Sequence, residues 1–388
     1  MLDYDSILSK KATGLKPSGI RKFFDILETM DDVISLTVGQ PDFSTPWHVR
    51  LAGIESLEDG KTYYTSNSGT LELREEINNY LTRRFSLSYD PKSQIIVTVG
   101  GSEAIDLAIR AVINEGDEVI IPCPSFVCYE PLTVMAGGVP VIINTKFENR
   151  FKLTADELRA AITPRTKLLV LPYPNNPTGA IMTREDLEEI AQVLRGTDIL
   201  VLADEIYAEM TYGLKHTSIA AIPDMYERTI YINGFSKSYA MTGWRLGYAC
   251  GPTPVIKQML KIHQYGIMCA PTTSQLAAIE ALKNGDADIQ MMTAEYDRRR
   301  KYIYNGLKRI GIDSFEPEGA FYIYPYIGKF GLTSEEFCER LLHEQRCALV
   351  PGTAFGESGE GFARISYAYS IKHITKALER IERFISTL

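Results

Sequence analysis

No run in this sequence approaches the ~20 apolar residues that a membrane-spanning helix needs, so no span is expected. Basic residues do not predominate: 41 Lys and Arg stand against 49 Asp and Glu, a net charge of -8. That balance leaves no electrostatic footprint for nucleic acid or an anionic membrane. Cysteine is sparse, and Cys123, Cys128, Cys250, Cys269, Cys338 and Cys347 are scattered without paired metal spacing. No metal is expected, and the thiols suit the reducing cytosol. Repeats and low-complexity linkers are also missing. The opening MLDYDSILSKK is charged where a signal peptide would be apolar, so a cytoplasmic location is expected. What remains is 388 residues of ordinary apolar content, enough for one large core and a smaller second one.

The stretch Tyr231 to Pro252 organises the rest. An apolar run ending in Gly234-Phe235-Ser236 reads as a strand that delivers Lys237 from a tight turn. Trp244 to Ala249 reads as the next strand coming back, a hairpin-like pairing that brings Lys237 and Arg245 together. A lysine amine forms Schiff bases with carbonyl compounds, and pyridoxal phosphate (PLP) needs such a lysine plus cationic and amide donors for its phosphate. A solvated surface lysine is the commonest alternative.

From residue 94 strands and helices alternate. Gln94 to Val99 reads as a strand, Gly100 to Glu103 as a turn, and Ala104 to Asn114 has helical apolar spacing. Free amides and the helix dipole would make that turn an anion cradle. Further strands at 118–122, 139–144, 167–172, 199–203 and 229–232 are mostly separated by helical or crossover-length segments, the pattern of a mainly parallel α/β sheet.

Ligands in such sheets sit outside the carboxyl ends of the strands. Phe126, Asn176, Asp204, Tyr207 and Lys237 stand there, with Arg245 beyond. An aspartate beside a pyridine nitrogen keeps it protonated, tyrosine and asparagine can donate to the ring hydroxyl, and an aromatic can stack on the ring. Singly, Asp204 reads equally as a helix N-cap, Asn176 as a turn residue and Phe126 as core. Jointly, they point to one site.

The motifs Pro174-Asn175-Asn176-Pro177-Thr178-Gly179, Asp204-Glu205-Ile206-Tyr207 and Ser236-Lys237-Ser238-Tyr239-Ala240-Met241-Thr242-Gly243-Trp244-Arg245 resemble those of class I/II aminotransferases of PLP fold type I. The resemblance covers essentially the whole chain. It implies an α/β fold with a mainly parallel large-domain sheet, helices on both faces and a smaller α+β domain. The divisions would be 1–45, an N-terminal segment joining the small domain; 46–285, the large PLP-binding domain; and 286–388, the small domain. It further implies that Lys237 links to the cofactor and shuttles the proton, Asp204 pairs with the ring nitrogen, Tyr207 and Asn176 meet the ring hydroxyl, and Phe126 stacks. Gly101, Ser102 and Arg245 would hold the phosphate. Ser236 would join the cofactor site, although the family's phosphate-binding serine more often lies where this chain has Gly234. Tyr64 would reach the phosphate of the other subunit in a homodimer with shared sites.

Arg364, in the apolar strand 362–367, would be costly to bury without an anion and resembles the family's clamp for the substrate α-carboxylate. Gly39 resembles the glycine whose amide assists it. Residues 274–310 read as one long, bent helix, with Arg298-Arg299-Arg300-Lys301 a solvated face, and a helix signal runs from Pro17 to Met30. The openings Pro17 to Phe23 and Val38 to Phe43 look like a bacterial branch of aromatic amino acid or N-acetyl-LL-diaminopimelate aminotransferases, close to aspartate aminotransferases. Ile20, Tyr64, Phe126 and Phe355 favour an apolar or aromatic side chain. The expected reaction moves the amino group of an L-amino acid to a 2-oxo acid. The alternative is a PLP-dependent C–S lyase acting on cystathionine-like substrates, which would use the same cofactor residues. A regulator on this fold would normally carry a DNA-binding extension, and a dead scaffold would lack cofactor residues that are all present here.

Overall fold

The computed structural model describes residues 2–17 and 30–388. The helix signal between Pro17 and Met30, and Ile20 with it, lie outside the described residues.

Twelve short strands are named in chain order: β1 Ile34–Ser35, β2 Ile95–Thr98, β3 Glu118–Cys123, β4 Val139–Asn144, β5 Thr166–Leu171, β6 Leu200–Asp204, β7 Thr229–Gly234, β8 Gly247–Cys250, β9 Tyr322–Ile323, β10 Cys347–Ala348, β11 Val350–Pro351 and β12 Ala363–Ser366. Seven of them form one sheet in the order β2-β8-β7-β6-β5-β3-β4. Only β8 runs antiparallel to its neighbours, against β2 on one side and β7 on the other. The sheet is therefore mainly parallel, and its strands are near-continuous apolar runs because helices cover both faces.

Alternation along the strands sorts side chains between those faces. Ile96, Leu168, Val170, Leu202 and Ile230 enter one core with the helices Gly101–Val112 and Thr253–Gly266. Ile95, Val97 and Tyr231 go the other way, against Leu71–Phe85 and Thr272–Asn284. Leu169, Leu171 and Val201 share that opposite side with Arg184–Leu194. A separate core gathers β1, β9, β10 and β12 with Asp286–Arg309, Ser334–Gln345 and Ile371–Ile385. The last of these helices buries Ile374, Ala377, Leu378, Ile381 and Phe384, a single helical stripe. Among the described residues no helix is long and apolar enough to cross a membrane.

Four readings of the sequence are corrected. The segment 274–310 is two helices, Thr272–Asn284 and Asp286–Arg309, meeting at Gly285. A Cβ at Gly285 would lie 2.6 Å from the Ala281 carbonyl and 2.8 Å from the Tyr239 ring, so the junction is packed tightly enough to require glycine. The run 298–301 is only half solvated. Arg299 and Arg300 are buried, Arg299 on both carboxylate oxygens of Asp42 at 2.8 Å, Arg300 on Glu316 at 2.7 Å. Partners so distant in sequence are invisible to local pattern. The helix expected from Ala104 starts three residues earlier, at Gly101, and the returning strand expected at 244–249 is confined to Gly247–Cys250.

Candidate active site

The carboxyl ends of β2, β3, β5, β6 and β7 open onto one cavity of about 390 Å³. At the end of β2 the chain turns through Gly100 at φ 80 and enters a helix at Gly101, leaving the first amides of that helix unpaired. A Cβ on Gly100 would meet Nη2 of Arg245 at 2.7 Å, and one on Gly247 would meet the backbone of Gly100 and Gly101 at 2.6 Å. Glycine at both positions lets β8 pass under the turn and sets Arg245 against it. Arg245 itself holds φ 53 and donates to the Thr242 carbonyl at 3.0 Å. Ser102 and Ser236 line the same end of the cavity. Amides at a helix start, two hydroxyls and a guanidinium with no carboxylate partner among the described residues make a site for a phosphate.

Asp204 ends β6, and its side chain is buried. Burial pushes its carboxyl up from the ordinary aspartate range, against the pull of hydrogen bonds from Tyr129 and the Ile206 amide. The Tyr129 hydroxyl donates to Oδ2 at 2.6 Å and the Ile206 amide to Oδ1 at 3.2 Å. Tyr207 follows on an irregular turn, and its hydroxyl lies 2.8 Å from that of Tyr322. Phe126 lines the cavity after β3, edge to face with Tyr129 at 6.0 Å between centroids.

Lys237 follows β7 and points its Nζ at the Gly39 carbonyl, 2.6 Å away. Burial, then the positive charges of Arg364 and Arg245, bring its amine down to about 8, with Asp204 opposing. A lysine so lowered is uncharged often enough near neutral pH to act as a nucleophile.

Arg364 sits in β12, 3% exposed. Its Nη1 donates to Asn176 Oδ1 at 2.9 Å and its Nη2 to the Thr37 carbonyl at 2.5 Å. The buried Nε has no partner, and among the described residues no carboxylate pairs with this guanidinium. A buried cation that lines a cavity and has no carboxylate of its own is a seat for an anion. Gly39 lines that cavity, and a Cβ there would fall 2.4 Å from the Tyr322 hydroxyl.

Thus Gly39, Gly101, Ser102, Phe126, Asn176, Asp204, Tyr207, Ser236, Lys237, Arg245 and Arg364 are brought together. Tyr64 is not: it is 77% exposed and outside this chain's cavity. Phe355 packs 4.8 Å from the Arg364 guanidinium, under it rather than in the cavity. The sequence reading passed over Tyr129 and Tyr322. A hydroxyl inside an apolar segment needs a partner when buried, and that demand is the signal that could have found both.

The chain matches the family described as Aminotransferase class I and II over residues 31–381. The Bacillus subtilis protein YugH, named as an aminotransferase, is 53% identical over 380 residues, 98% of each chain. The aspartate aminotransferase of Pyrococcus abyssi is 44% identical, covering 97% of this chain and 98% of that one. The crystal structure of the aromatic aminotransferase from Pyrococcus horikoshii OT3 superposes with a TM-score of 0.90 at 44% identity, over 94% of this chain and 99% of that one. The fold is that of these aminotransferases, α/β with a mainly parallel central sheet. This chain belongs to the class I and II aminotransferases, and it is an enzyme of amino-group transfer.

Proposed function

We propose that the protein is a PLP-dependent aminotransferase that moves the amino group of an L-amino acid with an apolar or aromatic side chain to a 2-oxo acid. The observation that carries this reading is a buried arginine without a carboxylate partner among the described residues, Arg364, lining the same cavity as Lys237. The residues present fit the cofactor: an amine of lowered pKa, a buried carboxylate with neutral donors behind it, and an amide-and-arginine cradle. When bound, PLP supplies an aldehyde that takes the amino group and a ring that withdraws the electrons released as the α-proton leaves.

The chain's own residues do the rest. Lys237, whose amine donates to the Gly39 carbonyl, would link to the cofactor and carry the proton at the substrate α-carbon. Asp204 would hold a proton on the ring nitrogen. Tyr207 would donate to the ring oxygen, joined by Nδ2 of Asn176, whose Oδ1 is already committed to Arg364. Phe126 would cover the ring, while Gly101, Ser102, Ser236 and Arg245 would hold the phosphate.

Arg364 takes the α-carboxylate, assisted by the Gly39 amide. Among the described residues of one chain the cations lining the cavity are Lys237, Arg245 and Arg364, each with a role. Val38, Ile105 and Ile206 line it as well, and these apolar side chains support an apolar substrate. The lyase alternative gains no support from the relatives, which are named for amino-group transfer. The test is a panel of amino acids scored for conversion of bound PLP to its amine form. Apolar and aromatic amino acids are expected to convert fastest, and Arg364→Ala to weaken all of them by roughly 2–4 kcal/mol while PLP binding changes much less. An unchanged Michaelis constant throughout the panel would contradict the clamp.

The division into 1–45 with 286–388 and 46–285 is supported by the main sheet and the core around β9 and β12 being built mostly from different stretches of the chain. A cytoplasmic location accords with the reduced thiols. A homodimer is supported by exposed aromatic side chains, among them Trp47 at 59%, Tyr63 at 65% and Tyr265 at 88%. The loops that carry Tyr63 and Met268 are tied together, Asn67 to the Met268 carbonyl at 2.8 Å and Thr272 to the Tyr63 carbonyl at 2.6 Å. In such a dimer Tyr64, exposed beside Tyr63, would donate to the phosphate of the other copy. Sedimentation should find a dimer, and mixed Tyr64→Phe and Lys237→Ala subunits should regain activity above either parent once exchange occurs. An active monomer would exclude the shared site.

A further inference from the structure

Two tyrosines meet in the cavity, one of them Tyr207, the proposed donor to the cofactor's ring oxygen. Tyr207 Oη and Tyr322 Oη are 2.8 Å apart, and either could be the donor. Each hydroxyl has a single proton, so the direction of this bond decides what Tyr207 can offer a ligand. If Tyr207 gives its proton to Tyr322, it has none for the ring. If it accepts, its own proton is free.

The surroundings of the pair are unequal. The Arg364 guanidinium lies over the Tyr322 ring, 4.6 Å from its centroid. A cation on a ring face draws electron density from it and makes the phenol a stronger donor. Tyr207 has the Lys237 amine at 5.7 Å from its ring and feels Arg364 more remotely, while the Asp204 carboxylate opposes loss of its proton. Burial raises both phenols, and Tyr207 is raised further. Tyr322 is 1% exposed, its hydroxyl is packed against Gly39, and Tyr207 is its one recorded hydrogen-bond partner among the described residues.

We infer that Tyr322 is a positioning residue: its hydroxyl donates to Tyr207 and so commits the Tyr207 proton to the cofactor's ring oxygen, with Arg364 over the Tyr322 ring reinforcing that direction. The inference rests on the PLP reading above and adds a residue to it. Hydrogen bonds in series strengthen one another, so Tyr207 donates better while it accepts from Tyr322. A donor to the ring oxygen competes for its negative charge with the proton on the lysine-linked nitrogen, and this lowers the pH at which the nitrogen loses that proton.

The experiment is a pH titration of the visible absorbance of the PLP-loaded protein, compared with Tyr322→Phe, which keeps the ring and removes the hydroxyl. The midpoint should rise by about half a pH unit or more. In a Tyr207→Phe background the same change should leave the midpoint still, because the relay is already cut. An unmoved or lowered midpoint in Tyr322→Phe overturns the inference, a lowered one meaning that Tyr207 had been donating to Tyr322. An undiminished shift in the Tyr207→Phe background also overturns it. A parent protein with no visible band removes the PLP reading and this inference together, whereas a parent band with an unmoved midpoint removes the inference alone.

Discussion

Lys237→Ala is expected to abolish transamination and the lysine-linked visible band while the protein stays folded and still binds some PLP through its phosphate cradle. The amine is the only lysine group lining the cavity among the described residues, so no neighbour can substitute for it. Its removal costs the fold little. The amine is brought from 10.5 to about 8, first by burial and then by Arg364 and Arg245. A lowered amine opposes folding wherever it is charged in the native state, and stability is regained as pH rises from about 8 toward 10.5. At pH 7 the variant is relieved of that burden, which offsets the packing lost with the side chain. The cofactor-free variant should therefore melt at or above the parent temperature at pH 7, and the difference should shrink as pH rises through this window. Near-parental turnover would remove Lys237 from the mechanism; a large fall in melting temperature would show that its loss acts through the fold.

The parts legible in the sequence are those in which local pattern and chemistry coincide. Asp204 closes an apolar strand, Lys237 follows another, and Arg364 interrupts a third, so each announces itself as a polar group where burial is costly. The parallel sheet was legible for the same reason, since apolar runs separated by crossover lengths allow few other arrangements. What stayed hidden depends on contacts distant in sequence. Arg299 is buried because Asp42, 257 positions away, meets it. Tyr322 reads as core in Ala320-Phe321-Tyr322 until Tyr207, 115 positions away, is seen at its hydroxyl. The break at Gly285 was masked because helical spacing continues on both sides and the cause, Tyr239, arrives from another element. Tyr64 is a different case. Its expected role belongs to an assembly of two chains, and one chain can display it only as an exposed aromatic.

Asp204→Asn should lower the rate of α-proton removal by orders of magnitude while leaving the lysine-linked visible band in place. The substitution preserves shape and reverses chemistry at one atom. In the parent, Oδ2 accepts from Tyr129 at 2.6 Å and Oδ1 from the Ile206 amide at 3.2 Å, two neutral donors that favour the charged carboxylate against its burial. That charge is available to hold a proton on a pyridine nitrogen. Burial raises the Asp204 carboxyl even though Lys237 pulls it the other way, and a protonated ring would bring it down again. An asparagine can accept from Tyr129 only by turning its amide nitrogen toward the ring or the Ile206 amide, where it offers a donor in place of an acceptor. The ring nitrogen then loses its proton, and with it the positive charge that stabilises electrons leaving the α-carbon. Each 1.36 kcal/mol of lost stabilisation is a factor of ten, so even a modest share of a buried charge interaction gives a fall of several orders. Lys237 and its link to PLP are untouched, which separates this variant from Lys237→Ala. Single-turnover mixing with an amino acid deuterated at the α-carbon provides the check. The isotope effect should grow as proton removal becomes slower than every other step, and unchanged single-turnover kinetics would exclude the role assigned to Asp204.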